Sequence, residues 1–407
     1  MTPGDRIQMG GRAPFAVMDL FAGCGGFAEG FRSYGAGLGG KPRFQSLVAV
    51  ERDRAAAATF AANHTPGHLH AGDIEEFDPL PYLDQVDVVT GGPPCQGFSG
   101  LGKGDPSDPR NKLWMQYQRV VSMVRPKIFV MENVRQFMES EEYALLVGAT
   151  GPKGPLSEYE LTAKVVNAAD YGVPQARQRA IVIGTRRDLG SRLEHPSETH
   201  AKDPSGADST LFEESRAPWR TVESIFERSA RLRIEGTELP RGRNEVSRGG
   251  KCGPVQGPYA TAELHFGRNP TALSLARYAA IPAGGNRRDL RGKWAEIDGV
   301  ATPLSTASWD GHNNGSGDVM GRLRLKQPSV TIRTEFFKPE KGRYLHPLDD
   351  RPITHYEAAL IQGFPEEYQW YGKKIEIARQ IGNAVPVGLG RAIADAVYRY
   401  LADSDRA

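Results

Sequence analysis

Cys95 is the first residue with a setting for chemistry. It stands in Gly91-Gly-Pro-Pro-Cys95-Gln-Gly-Phe-Ser99, directly after the strand-like run Val86–Thr90. Pro93 and Pro94 fix φ and remove two backbone donors, so the approach to the thiol is stiff. A buried structural cysteine needs no such frame, whereas a nucleophile must be held in place. A second apolar run, Ile128–Met131, leads into Glu132-Asn133-Val134. If the two runs are neighbouring strands, Glu132 and Cys95 face one crevice at the C-terminal edge of a sheet, where α/β sites lie. Glu132 can then bind or protonate a ring nitrogen, and Asn133 can orient its neighbours.

A second constellation is acidic. Asp19 closes the run Phe15–Leu20 and is followed by Phe21, Ala22, Gly23, Cys24, Gly25 and Gly26, leading into a helical stretch. The glycines allow a tight turn and close approach of a ligand to the backbone. A diphosphate would prefer G-x-G-x-x-G with no acid before it. A carboxylate suits a cationic or zwitterionic ligand, and S-adenosylmethionine carries both an ammonium and a sulfonium. The next two runs also end in acids. Glu51 follows Val48-Ala-Val50 and can accept from both hydroxyls of a ribose; Asp73 is placed to meet an adenine amino group, with Ile74 beside the ring.

These groups need a sheet to position them. Phe15–Leu20, Ser46–Val50, His68–Ala71, Val86–Thr90 and Ile128–Met131 read as strands, short and bounded by turn residues. Arg54–Ala62 and Leu113–Val124 between them have helical composition. The alternation predicts βαβ units in a parallel sheet with helices on both faces. Thr162–Val166 and Ala180–Gly184 are further strands, and Ser329–Thr334 another. Thr354–Ile361 reads as a helix. So does Gly388–Tyr400, from the apolar spacing of Leu389, Ile393, Ala396, Val397 and Tyr400. Residues 188–320 are rich in Gly, Pro, Ser and Arg and show little periodicity.

Composition narrows the class. At 407 residues the chain holds a large unit and a smaller one. No apolar run reaches the roughly 18 residues that span a bilayer, and Met1–Arg12 lacks a secretory h-region, so a cytoplasmic protein is expected. Cys24, Cys95 and Cys252 are far apart, which excludes a disulfide framework and a cysteine-rich zinc site, and no metal is expected. The net charge of +2 does not announce a nucleic-acid binder, but Arg268–Trp294 carries six Lys or Arg against one acid. Such a stretch is either a solvated face or a phosphate-binding surface.

The blocks Asp19–Gly30, Gly91–Ser99 and Glu132–Val134 resemble, in order, the signature motifs of the C5 cytosine DNA methyltransferases. Arg110-Asn-Lys-Leu113, Gln175-Ala-Arg177-Gln-Arg179, Pro328-Ser-Val-Thr-Ile332 and Gln380-Ile-Gly-Asn383-Ala-Val-Pro386 are similar to later motifs of that family. The resemblance covers about residues 15–187 and 322–400. It implies an α/β fold: a Rossmann-like methyltransferase sheet with helices on both faces, plus a smaller target-recognition domain. The catalytic and cofactor-binding domain is expected over 1–187 and 375–407, and the target-recognition domain over 188–374. The cofactor would be S-adenosyl-L-methionine, leaving S-adenosyl-L-homocysteine. Its contacts are expected at Asp19, Phe21, Ala22, Gly23, Gly25, Gly26, Glu51, Asp73, Ile74, Pro94, Leu113 and Asn383.

By the same resemblance Cys95 adds to C6 of cytosine, C5 takes the methyl group, a base removes the C5 proton and Cys95 leaves. Glu132 pairs with N3 and the exocyclic amine. Arg177 contacts O2, and Arg177 and Arg179 favour the thiolate. The partner is double-stranded DNA, with the cytosine flipped out. Gln96 and Ser99 are expected DNA contacts, and local charge adds Arg287, Arg288, Arg291 and Lys293. The compact chain resembles bacterial or phage enzymes, in a restriction–modification or other defence system or acting alone, as a monomer on DNA. Two other readings share these motifs: a tRNA cytosine-5 methyltransferase and a non-catalytic DNA-binding relative. The first typically shows Cys-Phe-Thr after Pro-Pro-Cys-Gln where this chain has Gly97-Phe98-Ser99; the second tends to lose the cysteine, the glutamate or the loop.

Overall fold

The structure is a computed structural model that describes residues 13–36, 42–94, 113–204, 216–241, 244–246, 254–311 and 318–404. Cys95, Gln96, Ser99, Arg110 and Cys252 lie outside the described residues. The first half contains β1 (Phe15–Leu20), α1 (Gly26–Ala36), β2 (Phe44–Val50), α2 (Arg54–His64), β3 (His68–His70), β4 (Val88–Gly91), α3 (Leu113–Val124), β5 (Ile128–Val134), α4 (Glu141–Ala149), β6 (Tyr159–Asn167), β7 (Gln175–Ala176) and β8 (Gln178–Arg186). Seven strands form one sheet in the order β3-β2-β1-β4-β5-β8-β6.

The first five strands of that order are mutually parallel, as the βαβ alternation requires. Of the two strands beyond them, one differs in direction from the parallel set. β8 runs antiparallel to both β5 and β6. The link from β6 to β8 has no long crossover helix, and an antiparallel return needs none.

Both faces of the sheet are covered. Residues alternate across the pleat: Ile128, Val130, Ile181 and Ile183 pack with Phe27, Phe31, Leu389, Ile393 and Val397 on one side. Phe129, Met131, Ala180 and Val182 pack with Trp114, Tyr117, Val121 and Leu146 on the other. Along β1 the same alternation puts Phe15 and Val17 on the first side and Met18 and Leu20 on the second, while a register shift at Leu47 lets β2 place Phe44 on the first side and Val48 and Val50 on the second. β1 lies between β2 and β4, so the chain leaves it in opposite directions. The crevice beyond the C-terminal ends of β1 and β4 is a topological switch point.

The second half adds α5 (Glu223–Ser229), α6 (Ala272–Ala280), α7 (Ala307–Gly311), α8 (His355–Gln362), α9 (Lys374–Asn383) and α10 (Val387–Ser404). The predicted strand at 329–334 is only two residues long, Ser329–Val330, and it pairs with β7. The Arg-rich stretch that shows no periodicity is held by side chains. Arg322 is buried and donates to the carbonyls of Ile281 (3.1 Å), Tyr278 (2.7 Å), His346 (2.8 Å) and Asp349 (2.6 Å). Arg343, also buried, donates to the carbonyls of Gly284 (2.8 Å) and Arg322 (2.7 Å) and pairs with Asp318. Among the described residues, no helix is long and apolar enough to cross a membrane.

α10 returns across α1 at very short range. A Cβ on Gly30 would lie 2.5 Å from the carbonyl carbon of Gly390, and one on Gly26 would lie 2.4 Å from the Val385 oxygen. Gly148 in α4, by contrast, has open space where a Cβ would go. Gly30→Ala is therefore expected to lower stability by roughly 1–3 kcal/mol through overpacking, less about 1 kcal/mol of helix propensity. Gly148→Ala should hold or raise stability. Thermal unfolding of the two variants measures both.

Candidate active site

The loop between β1 and α1 takes three left-handed backbone conformations in five residues: Phe21 at φ +51°, Gly23 at +55° and Gly25 at +94°. Gly23 donates its N–H to Glu51 Oε2 at 2.8 Å, and Asp53 N donates to Glu51 Oε1 at 2.7 Å. Glu51 thus ties the ends of β1 and β2 together, and its burial pushes its pKa up. Asp19 is buried inside the sheet. Its two oxygens accept from Thr90 Oγ1 on β4 and Ser46 Oγ on β2, each at 2.9 Å. Burial lifts its pKa to about 6 against the lowering effect of those two bonds. Asp73 caps the turn Ile74–Glu76 and pairs with Arg52 at 3.2 Å.

These groups line one cavity of about 1200 Å³ at the switch point. Of the residues expected around a cofactor, Asp19, Phe21, Ala22, Gly23, Gly26, Glu51, Asp73, Ile74, Pro94, Leu113 and Asn383 line it. Gly25 does not. It faces His64 and Tyr368, where a Cβ would approach within 2.5 and 2.9 Å.

Glu132, Asn133, Arg177 and Arg179 line the same cavity. β5 is the neighbour of β4, as their shared crevice requires. Asn133 Nδ2 donates to the Pro93 carbonyl at 3.1 Å, and Asn133 Oδ1 accepts from Val134 N at 2.8 Å. The chain leading to Cys95 is thereby fixed to the end of β5; Cys95 itself lies outside the described residues.

The two arginines of the Gln175–Arg179 block divide the work differently from the expectation. Arg179 Nε pairs with Glu132 Oε1 at 2.7 Å, and both side chains keep partial exposure to the cavity. Arg177 is 2% exposed. Its Nη1 donates to the Ile332 carbonyl at 2.8 Å and its Nη2 to the Gly382 carbonyl at 3.0 Å. Burial pushes its pKa well below the usual arginine value, with Arg179 adding to the shift. Gln175 joins the same clamp, accepting from Ile332 N at 2.9 Å and donating to Gln362 Oε1 at 2.8 Å.

None of the four basic residues proposed from local charge lines the cavity. Arg287 is a correction: it is buried, and its Nη1 donates to the Trp309 carbonyl at 3.0 Å, so it holds a loop and faces no solvent. Lys293 donates to the Ala280 carbonyl at 2.7 Å. Arg288 and Arg291 are exposed. Ser46 and Thr90, which hold Asp19, went unremarked in the sequence. Thr90 stands opposite Asp19 across the β1–β4 pair, a register that the fold and not the sequence supplies. Trp219 also lines the cavity, its indole N–H donating to Asp170 Oδ1 at 2.8 Å.

The sheet order and switch-point cavity are those of a methyltransferase fold. Solved structures carry the same chain path. A candidate DNA modification methyltransferase encoded within an E. coli prophage superposes with a TM-score of 0.65 at 23% identity, covering 95% of this chain and 99% of that one. S. pombe Dnmt2 superposes with a TM-score of 0.54 at 14% identity.

The family described as C-5 cytosine-specific DNA methylase matches residues 15–399, and the chain belongs to that family of DNA (cytosine-5)-methyltransferases. The Type II methyltransferase M.AgeI of Thalassovita gelatinovora is 30% identical over 94% of this chain and 98% of its own. The Type II methyltransferase M.DdeI of Desulfomicrobium norvegicum is 29% identical over 94% and 88%.

Two outcomes follow from this geometry. Arg177→Ala strands two buried carbonyls and should cost several kcal/mol of stability, since each unpaired group costs about 1–3 kcal/mol. Arg179→Ala should leave thermal unfolding nearly unchanged yet lower methyl transfer by roughly 10²-fold or more. Melting curves and a methylation assay on both variants separate the roles. The second outcome concerns Asp19. Its folded pKa of about 6 lies above its unfolded value of 3.8. The protonated form is thus favoured in the fold, and that contribution is lost as pH rises through about 6. Asp19→Asn should therefore gain stability relative to the parent between pH 4 and pH 7, by about 2–3 kcal/mol, and then level off. Urea titrations across that range that give a flat difference would remove the argument.

Proposed function

We propose that the chain transfers a methyl group from S-adenosyl-L-methionine to C5 of a flipped-out cytosine in a short specific DNA sequence, through a covalent Cys95–C6 adduct. The observation that carries this is the Glu132–Arg179 pair, set beside a loop toward Cys95 that Asn133 anchors. The cavity residues fit the cofactor. Glu51 and Asp73 supply carboxylates at successive strand ends, and Phe21 and Ile74 supply apolar surface. The position of a Gly23 Cβ is open space, so a ligand can lie against that backbone. Asp19, with a pKa of about 6, would ionise readily beside a cation. When bound, the cofactor supplies an electrophilic methyl group on a sulfonium.

The protein's own residues do the rest. The Cys95 thiolate adds to C6 as Glu132 delivers a proton to N3, which makes C5 enamine-like. Arg179 is assigned to the base O2 and the developing charge, since Arg177 is committed to main-chain carbonyls. After C5 gains the methyl group, a base takes its remaining proton, the C6–S bond breaks to give back the thiolate, and N3 returns its proton to Glu132. S-adenosyl-L-homocysteine is left. Flipping the cytosine costs a few kcal/mol of stacking and pairing.

The catalytic unit is proposed as 1–187 and 375–407 and the target-recognition unit as 188–374, tied back to the first through the pairing of Ser329–Val330 with β7. Arg288 and Arg291, exposed in the second unit, are proposed phosphate contacts. The Type II names of the relatives support a role beside a cognate restriction system; a place in phage defence, in the cytoplasm and as a monomer on DNA is part of the same proposal.

Incubation with S-adenosylmethionine and unmethylated plasmid, followed by bisulfite sequencing, is expected to show 5-methylcytosine in one short motif. Cys95→Ser should abolish it. Methylation retained in that variant removes the adduct mechanism. Transfer to tRNA alone would replace DNA as the substrate.

A further inference from the structure

The glycine loop after β1 is supported from beneath by side chains that the proposed reaction does not use. The Tyr368 hydroxyl donates to the Cys24 carbonyl oxygen. The same hydroxyl lies 2.9 Å from His64 Nε2. A hydroxyl has one hydrogen to give, so it accepts in turn from a His64 Nε2–H. Tyr368 is buried. His64 closes α2, and the neighbouring Asn63 bonds both ways with Gln369: Nδ2 to the carbonyl at 2.8 Å and Oδ1 from the N–H at 2.9 Å. The end of α2 and the Tyr368 segment are thus one fixed platform.

Gly25 rests on this platform with no room for a side chain, since a Cβ would lie 2.5 Å from His64 Nε2. Its φ of +94° is one of three left-handed conformations in the loop. The peptide between Cys24 and Gly25 has glycine on one side, so its plane turns at little steric cost. What opposes rotation is the bond from Tyr368, together with Gly25 N donating to the Ala22 carbonyl at 3.0 Å. Gly26 and Phe27, next in the chain, line the cavity and open α1 with amides that the helix itself leaves unclaimed.

We propose that Tyr368, backed by His64, is a positioning residue for the cofactor: its hydroxyl locks the Cys24–Gly25 peptide so that the loop and first turn of α1 present a preformed surface to S-adenosylmethionine. The inference rests on the cofactor reading above. Tyr368 touches no reacting atom, and its action runs entirely through the backbone it holds. Preorganisation of this kind improves binding by removing an ordering cost.

The test is Tyr368→Phe in the full chain, which removes one oxygen and keeps the ring. Calorimetric titration with S-adenosylmethionine, without DNA, should show Kd raised roughly five- to tenfold, the scale of one lost neutral hydrogen bond. KM for the cofactor should rise in parallel, with kcat at saturating cofactor within about twofold of the parent. His64→Ala, which removes the group behind the hydroxyl, should shift Kd in the same direction by less. Hydrogen exchange of the 22–28 segment should quicken in both. If Tyr368→Phe binds as tightly as the parent, whatever happens to its melting temperature, the residue only packs and the inference falls. If the parent itself binds no S-adenosylmethionine, the cofactor reading falls and takes the inference with it.

Discussion

A single buried guanidinium ties the turn between β7 and β8 to two segments from the second half of the chain. Arg177 leaves β7, points away from solvent, and gives its terminal nitrogens to the carbonyls of Ile332 and Gly382. One lies on the segment that enters from the second half and the other near the end of α9. Both carbonyls are on irregular or terminal backbone, which has no ladder partner of its own. Without that side chain, burying either segment against the sheet would leave polar groups unpaired, at a cost comparable to the bond itself. The clamp brings Asn383 to the cavity and lets α10 cross α1 at the glycine contact. It also frees Arg179 alone to face Glu132.

The cavity is built on the same economy of paired groups. Its acids are not loose surface carboxylates. Asp19 is bonded by hydroxyls from the two neighbouring strands, Glu51 by two backbone amides, and Asp73 by the turn it caps. Each satisfies local structure while facing the ligand space. A group held this way loses little freedom when a ligand arrives, which is the condition for a preorganised site. The loop between Asp19 and α1 follows the same logic from the other side. Its glycines divide between the two: Gly23 is open toward the cavity, whereas Gly25 is required by the platform beneath.

The second half of the chain depends on arginine in another sense. Arg322 and Arg343 sit in the middle of loops and bind carbonyls on several sides, doing for irregular backbone what a strand ladder does elsewhere. A small apolar group around Tyr278, Leu290, Leu304 and Leu345 completes that region. Arg287 belongs to this interior and not to the surface. A guanidinium carries five donors in a fixed fork, so it can close several loops at once. In a sequence, such an arginine looks identical to one that binds phosphate.

The strands of the sheet were legible because a run buried on both faces must be apolar whatever surrounds it, and the strand Phe15–Leu20 falls where the pattern puts it, as does the helix Leu113–Val124 between two such runs. The motif residues were legible because their types and order carry chemistry: a cysteine after two prolines, an acid at each strand end, Glu132 beside Asn133. Tertiary structure alone decided which arginine faces Glu132. Arg177, in the break between β7 and β8, and Arg179, on β8, are two apart, and only the return of residues 332 and 382 buries one and leaves the other facing Glu132. It alone decided that β8 runs against its neighbours, that Arg287 is interior, and that His64 and Tyr368 meet beneath the loop from positions 304 residues apart. A sequence reports what each residue can do; partners brought together by a fold determine which of those capacities is used.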